Sequence, residues 1–208
     1  MLLDTLLAFD PVVLAAFIGA GLLLNLTPGS DFLYVSSSGI TGGPRIGMAA
    51  AVGINIGITV HVLAAAAGVS AILLAYPAAY QAIKLLGAGY LLFLAWSAWT
   101  ARDLPTKGRA APTAWHALKR GALLNILNPK TALFIFAFIP QFTDPAVGPF
   151  WVQILILGTI FLLNGFLFSL ALGALAGALA DPLRAHLRAF NKLTAILFGG
   201  LAARLILD

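Results

Sequence analysis

The sequence predicts an all-α membrane protein: six transmembrane helices built as two inverted three-helix repeats, with helices 1 and 4 broken at proline. Three observations carry this. Of 208 residues, 61% are apolar and 9% charged, and the mean hydropathy is +1.00; a soluble domain has about 25% charged residues. The apolar runs are continuous rather than alternating, which excludes a membrane β-barrel, and at about 20 residues per crossing they allow roughly six helices. The stretch GLLLNLTP at 21–28 also returns as GALLNILNP at 121–129.

The elements follow in order. The opening MLLDTLLAFD has no Lys or Arg, so it lacks the basic start of a secretory signal, and the first apolar segment is expected to be retained. Span 1 covers about 11–38 and holds Pro28-Gly29, which should interrupt it. The turn ITGGP at 39–43 leads into span 2, about 44–75. That run is too long for one straight crossing; Gly68 is a candidate bend and Tyr76-Pro77 ends it. Span 3 covers about 79–101. The polar linker RDLPTKGRAAP, Arg102 to Pro112, then separates two units. Span 4, about 117–141, is broken at Asn128-Pro129. Span 5 covers about 150–178, a connection 179–188, and span 6 about 189–207. One transmembrane domain, 1–208, thus divides into a unit at about 11–101, a linker at about 102–116 and a unit at about 117–207.

Charge sets the orientation. The connections 39–43, 102–116 and 179–188, with their helix ends, hold Arg45, Arg102, Lys107, Arg109, Lys119, Arg120, Arg184, Arg188 and Lys192, nine of the twelve basic residues. The linker QFTDP at 141–145, on the other side, has none. Basic loops face the cytoplasm, so both termini are expected outside. The net charge of +5 is therefore a membrane signature and not a nucleic-acid footprint. Trp96, Trp99 and Trp151 fall near span ends and read as an aromatic belt.

The repeat carries the mechanism. Gly21/Gly121 and Asn25/Asn125 are offset by 100 residues and Pro28/Pro129 by 101. If spans 1 and 4 correspond, the second three-span unit enters from the opposite face, the inverted arrangement of many secondary transporters. In those folds, interrupted helices at equivalent positions mark the substrate site.

Proline has no N–H and clashes with the carbonyl one turn earlier. The backbone groups it frees cannot face lipid. Carbonyls before Pro28 and Pro129 can accept from an ammonium group, and the N–H groups that follow, from Gly29 onward and after Asn128, suit a carboxylate. Asp31 has two readings: a cap on the second half-helix, or a proton- or cation-binding site in the path. Lys130 lies eleven residues from Lys119, about 16 Å along a helix, too deep to snorkel easily, so an inward Lys facing Asp31, a carbonyl or a substrate carboxylate is expected. Asn25, Asn55, Asn125, Asn128 and Asn164 are amides inside spans; they either line the path or glue helices. His61 reads as a hydrogen-bonded packing residue, with a proton relay as the alternative. Gly47, Gly53, Gly57, Gly87 and Gly89 read as sites of close helix contact.

Other chemistry is excluded. With no Cys and three scattered His, the chain offers no metal cluster, no thiol relay and no paired thiols for electron transfer. It has no HExxH, GxSxG or Walker A pattern. No enzyme activity, cofactor or ATP hydrolysis is expected.

The motifs TPGSD at 27–31, GMAAAVGINIG at 47–57, LLGAGYLLFLAW at 85–96 and NILNPKTALFIFAFIPQF at 125–142 resemble the lysine exporter family, in its branch of homoserine, threonine and leucine exporters. They run in the family's order over nearly the whole chain. The family pattern has Pro where this chain has Ser30. The resemblance implies a bacterial inner-membrane exporter of amino acids or close derivatives, driven by the proton motive force. Pro28, Gly29 and Asp31 match its first motif, and Asn128, Pro129 and Lys130 its second. The expected partners are an amino acid, protons and the bilayer, with assembly into a homo-oligomer left open. The alternative is export of a metal cation or another small solute on a related six-helix fold.

Overall fold

Asp10 and Pro11 start the first long helix. The Asp10 carboxylate accepts from the Val12 N–H at 2.7 Å, and Pro11 occupies the first helical position, where a missing N–H costs nothing. The computed structural model describes residues 1–27, 29–75, 79–100 and 113–207. Pro28, Tyr76-Pro77 and the linker Arg102 to Pro112 lie outside these residues.

Eight α-helices are described: α1 Leu2–Leu7, α2 Pro11–Leu26, α3 Ser30–Gly42, α4 Pro44–Ala75, α5 Ala79–Thr100, α6 Ala114–Ile126, α7 Pro129–Leu133 and α8 Phe150–Leu207. Between α7 and α8 come a wide π turn, Phe134–Phe138, and a 3-10 turn, Ile139–Phe142. Pro140 has no N–H for the carbonyl of Phe136, which explains why the α-helical ladder gives way here. No strand occurs among the described residues.

The two expected breaks are present. Helices α2 and α3 meet at 57°, and α6 meets the Pro129–Phe142 segment at 51°. Pro44–Gly68 and Phe150–Ala176 are each long and apolar enough to cross a membrane, and each bent pair is so when counted as one span. The chain is an all-α membrane protein. Leu85–Thr100, within α5, is a shorter apolar helix.

Helix α4 runs through Gly68 to Ala75. One sequence expectation changes. The expected connection at 179–188 is helical, because α8 is one run of 58 residues. Straight, it would measure about 87 Å, nearly three times a bilayer's apolar core of about 30 Å. Asp181-Pro182 lies within this run. The limb beyond it buries Asn191, Thr194, Phe198 and Ala202, and Lys192 lies over the Trp99 ring at the end of α5.

Glycines bring α3, α4, α6 and α8 together. A Cβ on Gly39 or Gly47 would collide with the carbonyl of Gly173, and one on Gly53 with that of Leu118. Gly57 lies against Asn125 and Gly87 against Ala137, whereas Gly89 has open space beside it. Tyr34 on α3 donates to the Ala117 carbonyl on α6 at 2.9 Å. Phe17, Phe134, Phe138 and Phe161 are buried, with Phe134 4.6 Å from Phe138 and 4.9 Å from Phe161, ring centre to ring centre. Trp96, Trp99 and Trp151 lie on the outer surface.

Candidate functional site

The site forms where the two breaks face each other. In an unbroken helix the carbonyl of residue i accepts from the N–H of residue i+4. Pro28 and Pro129 have no N–H, so Leu24 and Asn125 each lose that donor. These two carbonyls are equivalent under the 101-residue offset of the prolines.

Each is met by a side chain from another element. The Lys130 ammonium, on the first turn of α7, donates to the Leu24 carbonyl at 3.1 Å and to that of Thr27 at 3.0 Å. The ammonium thus sits at the C-terminal end of α2, the negative end of its dipole. The carbonyl of Asn125 accepts from the Asn128 N–H at 2.9 Å and from His61 Nε2 at 3.1 Å. A carbonyl can only accept, so His61 Nε2 carries the proton. His61 is buried, edge-on to Phe136.

Asp31 reaches the other way, from the first turn of α3 to the second break. Its Oδ2 accepts from Asn125 Nδ2 at 2.8 Å and from the Thr131 hydroxyl at 3.2 Å; Ser30 donates to Oδ1 at 3.3 Å. Asn125 is fully buried and Thr131 is 5% exposed. Asn128 caps α7 by accepting from the Lys130 N–H at 2.9 Å, and its amide donates to Thr131 at 3.3 Å. Helix α3 has no such side-chain cap: Gly29 stands in that position. Among the described residues, Asp31 and Lys130 form no ion pair.

A cavity of about 40 Å³ opens between the breaks. By the same measure one water needs roughly 10–15 Å³, so it holds a few waters and no amino acid. Its polar lining is Asn25, Thr27, Asp31, Asn128, Lys130, Thr131 and Ser169; Ile54, Ile58, Phe161, Phe168 and Leu172 are among its apolar walls. Asn25 Nδ2 has no hydrogen-bond partner among the described residues.

The sequence-derived candidates therefore divide. Asp31, Asn125, Asn128 and Lys130 are joined by hydrogen bonds, directly or through Thr131 and Asn128. Gly29 and Asn25 line the cavity with them, and Pro129 starts α7. Pro28 lies outside the described residues. Asn55 and Asn164 are elsewhere: Asn55 donates to Ala51 in its own helix at 3.0 Å, and Asn164 ties α8 to the Ile18 carbonyl at 3.2 Å. Neither amide is part of the cavity lining. The sequence reading missed Thr131, Thr27 and Tyr90, whose hydroxyl donates to the Lys130 carbonyl at 2.9 Å. Thr131 had a signal, since it lies three residues after the capping Asn128; Tyr90 had none.

The family model for the LysE type translocator matches residues 22–208. An uncharacterized membrane protein of Vibrio cholerae is 31% identical over 199 residues, 92% of this chain and 95% of that protein. A leucine efflux protein of Enterobacter sp. is 33% identical over 196 residues, 91% of this chain and 92% of its own length. A homoserine/homoserine lactone efflux protein of Salmonella typhimurium is 29% identical over 188 residues, 88% and 90% of the two chains. No solved structure matches. With nearly its whole length matched, the chain belongs to the LysE-type translocator family and is a membrane transporter, not an enzyme.

Proposed function

We propose that this transporter is a secondary-active, proton-coupled exporter of amino acids or close derivatives. One observation carries the reading: two broken helices face each other across one cavity and hold a carboxylate and an ammonium group there. The names of its relatives, leucine efflux protein and homoserine/homoserine lactone efflux protein, support the substrate class.

The protein works by alternating access. Two three-helix units, about 11–101 and 117–207, rock around the site in the bacterial inner membrane, with six spans and both termini outside. Asp31 takes a proton from outside and releases it inside as substrate leaves. Asn125 and Thr131 hold its ionised form, and protonation releases one of those acceptor bonds, which ties proton uptake to the second break. Asn25, Asn128, Gly29 and Lys130 face the substrate, while Pro28 and Pro129 leave the Leu24 and Asn125 carbonyls without a helical donor. The apolar walls suit small neutral side chains.

Asp31→Asn is expected to abolish proton-driven export of leucine from inverted vesicles or preloaded cells, while membrane levels of the protein stay normal. Undiminished export by that variant overturns the role of Asp31. A panel of amino acids and dipeptides, scored for loss of toxicity on overproduction, identifies the substrate; equal protection against every member counts against a dedicated exporter.

A further inference from the structure

Lys130 occupies the acceptors that an amino acid's own ammonium group would choose. The Leu24 carbonyl lacks its helical donor because of Pro28, and the Thr27 carbonyl lies just past the end of α2. Left bare in a membrane, such groups are costly. Lys130 Nζ meets both, at 3.1 and 3.0 Å, using two of its three donors. Its tip runs past Gly29, where an added Cβ would lie 3.4 Å from both Nζ and Cδ. It thus lies beside the start of α3, which has no side-chain cap. The cavity, at about 40 Å³, is too small for an amino acid while that side chain fills its edge.

We propose that Lys130 is a tethered stand-in for the substrate's α-ammonium group, displaced when substrate binds. This rests on the exporter reading above and adds how the site recognises its cargo. The incoming ammonium takes the Leu24 and Thr27 carbonyls. Lys130 swings off them and pairs with the incoming carboxylate beside Gly29, where the first N–H groups of α3 also point. One movement makes both half-sites. No proton moves, and the charge of the site is unchanged, because a zwitterion is neutral. A substrate with an ammonium group but no carboxylate evicts Lys130 and gives it nothing in return, leaving a buried charge unpaired. The preferred ligand is therefore the free α-amino acid, and esters and lactones, which lack the carboxylate, bind less tightly.

The test measures direct binding of leucine and leucine methyl ester to the purified full-length protein in nanodiscs; leucine is the probe because a relative bears its name. Wild type should bind leucine at least about tenfold more tightly than the ester, the value of one charge-assisted pair; equal binding overturns the proposal. Lys130→Met should bring the two affinities within about threefold, weakening leucine and strengthening the ester. Lys130→Gln replaces it if the Met variant is not monodisperse, and Lys130→Arg should keep the preference. A Met or Gln variant that folds and keeps the full preference overturns the role of Lys130 alone. Wild type that binds neither leucine nor any other standard amino acid overturns the exporter reading and this proposal with it.

Discussion

Asn125 does two jobs with two different atoms. Its amide nitrogen holds Asp31, and its backbone carbonyl takes His61. Replacing Asn125 by Leu keeps the volume close and removes the donor. Proton-driven export of leucine is expected to fall by about tenfold or more, the effect of one hydrogen bond to a charged group, with little loss of folded protein. Wild-type export by Asn125→Leu would show that Thr131 alone suffices to place the carboxylate. His61→Phe acts on the other atom. The Asn125 carbonyl keeps its bond from the Asn128 N–H, so the loss is about 1 kcal/mol, seen as a modest fall in the melting temperature in detergent. An unchanged melting temperature would mean that the His61 bond adds nothing to the fold.

At the scale of elements, the breaks were legible and their partners were not. Proline announces a freed carbonyl four residues upstream wherever it stands, so Pro28 and Pro129 marked the two breaks without any tertiary knowledge. The contact of Asp31 with Asn125 joins residues 94 apart, and no local pattern encodes it. Asn55 and Asn125 look alike in sequence, both amides in apolar runs; only the face each presents separates a self-bonded amide from a site residue. The seam inside α8 was misjudged for a related reason. A polar, basic stretch with Asp181-Pro182 suits a loop and a helix start equally well. Pro129→Ala tests what the second break is for. It restores an N–H that can bond the Asn125 carbonyl and straighten the 51° bend. Thermal stability is expected to hold or rise while export drops. Full export would show that the bend is dispensable. Gly173→Val forces a side chain onto the Gly47 backbone and should cost about 1–3 kcal/mol of stability, read as a lowered melting temperature.

For the whole molecule, the decisive open quantity is sidedness. The chain has no Cys, so single cysteines give an unambiguous label. Ala146→Cys, exposed in the segment between the 3-10 turn and α8, and Thr113→Cys, exposed at the cap of α6, should react with a membrane-impermeant maleimide from opposite faces. Position 146 labels in intact cells and position 113 only in inverted vesicles. The reverse result inverts the proposed orientation, and labelling of both from one face removes span 4 as a crossing. Class and family were legible at this scale because composition and motif order extend over the whole chain. The pairing of α5 with the second limb of α8 was not, since Trp99 and Lys192 carry no signal that they meet.

The exchange of donors between the breaks also bears on how the protein is made. The Leu24 carbonyl waits for an ammonium group that the ribosome adds 106 residues later, while His61 is synthesised well before the carbonyl it will serve. During insertion, the first broken helix must therefore stay near water or a chaperone until the second arrives. Each break is therefore expected to reach its full stability only once the other is in the membrane.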